Sequence, residues 1–92
     1  MSYYSDHTRQ LGPFTILVRY APGLVDEEGE ALHGDWDHTA LTIRINATDA
    51  PNIQRSTLLH ELLHAIDDLW ELGLKEVGVR VLENGIIQSG WQ

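Results

Sequence analysis

The residues of this 92-residue chain best equipped for chemistry are His60-Glu61-Leu62-Leu63-His64. On a helix, an i, i+4 histidine pair puts two imidazoles on one face, one turn apart, where two nitrogens can meet a single ion at about 2.0–2.1 Å. Glu61 lies about 100° around the wheel from His60, at the flank of that face, where a carboxylate contacts water beside the ion rather than the ion itself. Asp67 falls within about 60° of both histidines. One turn beyond His64, it is suited to accept a hydrogen bond from a ligand imidazole, or to act as an alternative ligand. With 5 His and 7 Glu in the chain, His-Glu-x-x-His arises by chance somewhere with a probability of about 0.02, so the spacing carries information. A solvent-facing histidine pair at the polar edge of a core helix would show the same letters.

Such side chains need a rigid element beneath them. About 22 residues with helical spacing run from Pro51, suited to a first helical turn behind a capping Asp49, to Gly73, suited to a left-handed C-terminal cap. Leu58, Leu59, Leu62, Leu63, Ile66, Leu69 and Trp70 fall in one arc of roughly 140°, the width expected of a helix lying on a core. A second helix is expected from about Lys75 to Ile87, where Gly78 and Gly85 share a face that would let it come close to a neighbour. Ahead of the first helix, Phe14 to Tyr20 reads as a strand closed by Pro22-Gly23. Leu41, Ile43 and Ile45 alternate with Thr42, Arg44 and Asn46, the pattern of a strand with one buried face. The acidic stretch Leu24 to Asp37 has no period and reads as a loop or a short irregular strand, and residues 1–12 read as a loose arm. One α+β domain over residues 1–92 follows, a small antiparallel or mixed sheet with two helices on it.

His60-Glu61-Leu62-Leu63-His64 resembles the active-site helix of the zincin metallopeptidases, and the strand ending at Asn46 resembles the edge strand along which that family lays a substrate backbone. The similarity covers about residues 39 to 90. The chain's size resembles the minimal zincin domains of the ImmA/IrrE type, often encoded by phages. The resemblance implies a Zn2+ cofactor with three protein ligands, and hydrolysis of a peptide or protein substrate with Glu61 as general base. The metzincin continuation is absent, since Asp67 and Trp70 stand where it needs Gly and His. The gluzincin branch takes its third ligand from a following helix, and Glu83, separated from His64 by 18 intervening residues, resembles that spacing. Val79, Ile86 and Ile87 neighbour Glu83 on the wheel, and a carboxylate among apolar side chains needs a partner such as a cation. Arg80 is a competing partner for Glu83, and Asp67, Asp68, Glu71 and Glu76 compete for the ligand role. Zincins commonly add a downstream Tyr or His to stabilise the oxyanion, but after Glu83 the only aromatic residue is Trp91. Tyr3, Tyr4, Tyr20, His33 and His38 are the substitutes, provided the fold brings one to the metal. The alternative is a catalytically weak or inactive module in which zinc staples a small protein-binding domain.

Composition narrows the partners. Six Lys plus Arg against 14 Asp plus Glu give a formal charge of −8, which disfavours nucleic acid and anionic lipid surfaces. The absence of cysteine removes disulfides, thiolate nucleophiles and Cys-ligated metal sites. Apolar runs fall far short of the roughly 20 residues that span a bilayer, and Met1 to Asp6 has no basic n-region leading into an apolar stretch. A soluble, cytoplasmic protein is expected.

Overall fold

The computed structural model describes residues 4–74 and 76–88, apart from the side chain of Val77. Tyr3, Lys75 and Trp91, named above, lie outside these residues. Four strands, β1 (His7–Leu11), β2 (Phe14–Ala21), β3 (Gly34–Asp37) and β4 (Thr42–Asn46), precede two helices, α1 (Pro51–Leu69) and α2 (Glu76–Gln88). The class is α+β, as the sequence indicates. The sheet order is β1-β2-β4-β3, with β2 and β4 parallel at the centre and each outer strand antiparallel to its neighbour.

Alternation builds the core. Ile16 and Val18 on β2 and Ile43 and Ile45 on β4 are fully buried, with Val18 beside Ile43 in the register, and Leu58 and Leu62 of α1 close over them. Each such side chain is worth about 1.5–3 kcal/mol relative to exposure. Leu41 precedes the strand in a left-handed conformation at φ 49°, so β4 begins at Thr42.

One segment and one edge assignment differ from the sequence expectation. His7–Leu11 is a strand rather than part of a loose arm, joined to β2 by the two-residue turn Gly12-Pro13 with Leu11 facing Phe14. Gly12 takes φ +57°, a conformation glycine adopts without a Cβ penalty, and a Cβ there would lie 2.8 Å from the Trp70 ring. The end of the Leu24 to Asp37 stretch forms β3. This makes β3 the edge strand nearest α1, while β4, expected at the edge, is paired on both sides.

The caps also differ. The N-cap of α1 is Ala50 with no side-chain cap bond, and Pro51 opens the first turn. Asp49 directs its carboxylate to His33 Nδ1 at 2.7 Å instead. At the other end, Leu72 N–H donates to Asp67 O at 3.0 Å and Glu71 N–H to Asp68 O at 3.3 Å. This is the six-to-one and five-to-two pairing of a Schellman cap, with Glu71 at φ 52° in the left-handed position. The helix therefore ends before Gly73. Among the described residues, Gly78 and Gly85 do not mark a close approach: a Cβ on Gly78 would meet only Leu74, at 3.8 Å, and one on Gly85 nothing within 4 Å. No helix among the described residues is long and apolar enough to cross a membrane.

Candidate metal centre

The sheet fixes one face of α1 and thereby aims the others. Leu58, Leu59, Leu62 and Ala65 are buried, but so are the polar Gln54, Thr57 and Glu61. The buried surface thus extends past the apolar arc, leaving Trp70 43% exposed, because β3 covers the Thr57–Glu61 side. Gly34 makes that contact possible: a Cβ there would fall 2.6 Å from Arg44 O, 2.6 Å from Thr57 Cγ2 and 3.6 Å from Glu61 Cγ. On the neighbouring face, His60 and His64 stand half-buried beneath α2.

Their nitrogens converge. His60 Nε2 and His64 Nε2 are 3.1 Å apart. Glu76, from the first turn of α2, places Oε1 3.1 Å from His60 Nε2 and Oε2 3.0 Å from His64 Nε2. Glu83, two turns further along the same face of α2, places Oε2 2.7 Å from His60 Nδ1. That contact decides the tautomer. An Nδ1–H donated to the Glu83 carboxylate leaves His60 Nε2 carrying its lone pair, and this lone pair faces the Glu76 carboxylate and the other imidazole nitrogen. Acceptors grouped in this way can share a cation. Ligand atoms about 2.0–2.1 Å from a tetrahedral ion are roughly 3.3–3.4 Å from one another, close to the separations seen. His60, His64 and Glu76 therefore form a group able to hold a metal ion.

Glu61 borders this group. It is 9% exposed, and burial pushes its carboxyl above the usual carboxylate range, with Asp35 and Glu76 adding to the rise and His60 and His64 opposing it. A raised pKa is what a general base working near neutral pH requires. An open groove of about 530 Å³ runs past it, walled by His33 and Gly34 from the β3 side, Ile53, Thr57, His60 and Glu61 from α1, and Arg80, Glu83 and Asn84 from α2.

The other residues singled out by sequence are dispersed. Asp67 Oδ1 accepts the Leu74 N–H at 2.8 Å, fixing the connection into α2 rather than supporting an imidazole. Asp68 accepts Trp36 Nε1–H at 2.8 Å and pairs with His38. Glu71 is taken up in the cap of α1. Arg80 faces Glu76, Nε to Oε1 3.5 Å. Tyr4 and Tyr20 pack on each other at 5.7 Å, and His7 stacks on Tyr20. Glu76 stood in the sequence only as one competitor among several. The signal that singles it out is its seven-residue spacing from Glu83, which puts two carboxylates on one face of α2.

Residues 13–68 match the profile of the family Peptidase_M78, the IrrE N-terminal-like domain. That span runs from the start of β2 to the end of α1 and carries His60, Glu61 and His64, while Glu76 and Glu83 lie beyond it. No curated protein and no solved structure matches the chain. The family implies a metallopeptidase-type function, a metal, and a peptide or protein substrate. With more than half of its length matched, the chain belongs to the IrrE N-terminal-like family of zincin metallopeptidases.

Proposed function

We propose that the protein is a zinc-dependent peptidase in which His60 Nε2, His64 Nε2 and a carboxylate of α2 hold the ion and Glu61 is the general base. The observation that carries this reading is the His60 side chain, whose Nδ1 meets Glu83 while its Nε2 faces Glu76 and His64. Glu76 then supplies the third ligand. Glu83, the ligand expected from spacing, holds His60 in the binding tautomer. Two imidazoles and a carboxylate without sulfur suit zinc. When bound, zinc supplies Lewis-acid polarisation of the scissile carbonyl and acidifies a water molecule. Glu61 removes the proton from the attacking water and delivers it to the amine nitrogen as the C–N bond breaks. An extended peptide fits along the free edge of β3, whose other edge is occupied by β4.

The test is metal content after purification without added metal, together with cleavage of a mixed peptide pool. Wild type should carry about one zinc per chain. Glu76→Ala should lose it, whereas Glu83→Gln should bind it about 10–100-fold more weakly. Retention by Glu76→Ala with complete loss in Glu83→Ala would exchange the two roles. Glu61→Gln should keep the zinc and lose about 10²–10⁴-fold in kcat. Absence of metal in wild type would overturn the reading.

A further inference from the structure

We infer that His33, held by Asp49, is the group that stabilises the oxyanion during hydrolysis, an inference that rests on the peptidase reading above. Among the described residues proposed for this task from sequence, the fold takes Tyr4 and Tyr20 to the β1 side of the sheet and His38 to Asp68. His33 alone of these lines the groove that His60 and Glu61 also line. It immediately precedes Gly34, the residue at which β3 comes within van der Waals reach of Glu61.

The side chain meets Asp49 although it is 74% exposed. Its carbonyl accepts the Asn46 N–H at 2.8 Å, and its Nδ1 lies 2.7 Å from Asp49 Oδ2. Asp49 is anchored in turn: its N–H donates to Asn46 O at 3.2 Å and its carbonyl accepts Gln54 Nε2–H at 2.7 Å. With Nδ1–H donated to Asp49, Nε2 is the atom left for a molecule in the groove. In the imidazolium form it presents an N–H to an oxygen gaining negative charge, and the Asp49 carboxylate balances the positive ring. Arg80 sits on the opposite wall of the groove, against Glu76.

The experiment uses zinc-loaded full-length protein and two readouts: steady-state cleavage of the best peptide from the mixed pool, and calorimetric binding of a phosphinic tripeptide, whose tetrahedral anionic phosphorus mimics the addition state. His33→Ala should lower kcat by about 10²-fold with little change in KM, and weaken the phosphinic probe by a similar factor, while zinc content stays at the wild-type level. His33→Gln, which keeps an N–H donor, should recover part of both losses. Asp49→Asn should fall between wild type and His33→Ala. Unchanged kcat and probe affinity in His33→Ala, or a change confined to KM, overturns the role of His33 while leaving a zinc-loaded, peptide-cleaving wild type as a peptidase. A wild type that takes up no zinc, or that neither cleaves nor binds the probe, overturns both readings together.

Discussion

The sheet with α1 and the lone helix α2 are held in the molecule by different forces. In the first region Ile16, Val18, Ile43 and Ile45 are fully buried under Leu58 and Leu62, and apolar burial is the main force that fixes where α1 lies. On α2, Val79 is fully buried, whereas Val81, Leu82 and Ile87 are 66%, 45% and 40% exposed. Much of what joins α2 to α1 is the pairing of Glu76 and Glu83 with His60 and His64. Partly solvated ion pairs contribute little on their own. A divalent ion shared by the two helices changes that balance, because binding free energy at a site that needs both helices is also docking free energy for α2. The family match follows the same division, ending at residue 68 with the packed region. On the proposed reading, Glu61, His60 and His64 rest on a hydrophobic platform, and Glu76 comes from the helix that the ion would staple.

The largest effect that separates the two regions is a cavity in the platform. Ile45→Ala should destabilise the whole chain by about 2–5 kcal/mol, seen as one cooperative urea transition at lower midpoint with or without zinc. Val79→Ala should remove less and act mainly on α2. Chelation should do the converse. If the ion staples α2, a chelator should abolish stabilisation of about 2.7 kcal/mol relative to zinc at roughly 100 times its Kd. Amide exchange should then quicken across Glu76–Gln88 while β2, β4 and α1 stay protected. Equal loss of protection everywhere would show that the two regions are one cooperative unit and that the comparison drawn above is mistaken.

How far the sequence revealed each region follows from the same physics. Alternation in residues 42–46 and the apolar arc over Leu58, Leu59 and Leu62 exposed the platform, because burial leaves a period in the letters. The His60, Glu61 and His64 constellation was equally plain, since its geometry is local to one helix. β1 was hidden because its strand alternates modestly and its recognition depended on treating Gly12-Pro13 as a hairpin turn between Leu11 and Phe14. The order of β3 and β4 was hidden because pairing is non-local, so the edge was assigned to the more apolar strand. The carboxylates of α2 were the hardest to rank: Glu76 and Glu83 share a face, and only the tertiary docking angle decides which one meets Nε2 and which Nδ1. Asp49 illustrates a competing demand, since a residue suited to capping α1 is engaged by His33 instead.

A smaller effect tests the contact between β3 and α1. Gly34→Ala would force a methyl to within 2.6 Å of Arg44 O and Thr57 Cγ2, neither of which has room to withdraw. Overpacking of this kind should destabilise by about 1–3 kcal/mol. The strand must move off α1, so kcat should also fall although no group involved in the chemistry is altered. A Gly34→Ala variant of wild-type stability and kcat would mean that β3 does not set the position of Glu61.

The smallest effect concerns the far end of the same strand. Asp68, on the last turn of α1, accepts Trp36 Nε1–H from β3 and pairs with His38 just beyond it. The Trp36 hydrogen bond foremost, and then the one from His38, hold the Asp68 carboxyl below its usual value. A carboxyl lowered in the folded state stabilises the fold above its unfolded value, about 3.9, and that contribution disappears as pH falls through the lower folded value. Asp68→Asn should therefore lower Tm slightly near neutral pH, and the gap from wild type should close as pH drops below about 4. Neither Asp68, Trp36 nor His38 lines the groove, so zinc content should be unchanged. A gap that stays constant down to the lowest pH at which the protein remains folded would show that Trp36 and His38 are held by the shape of Asp68 and not by its charge, and β3 would then be attached to α1 at this end without any ionic contribution.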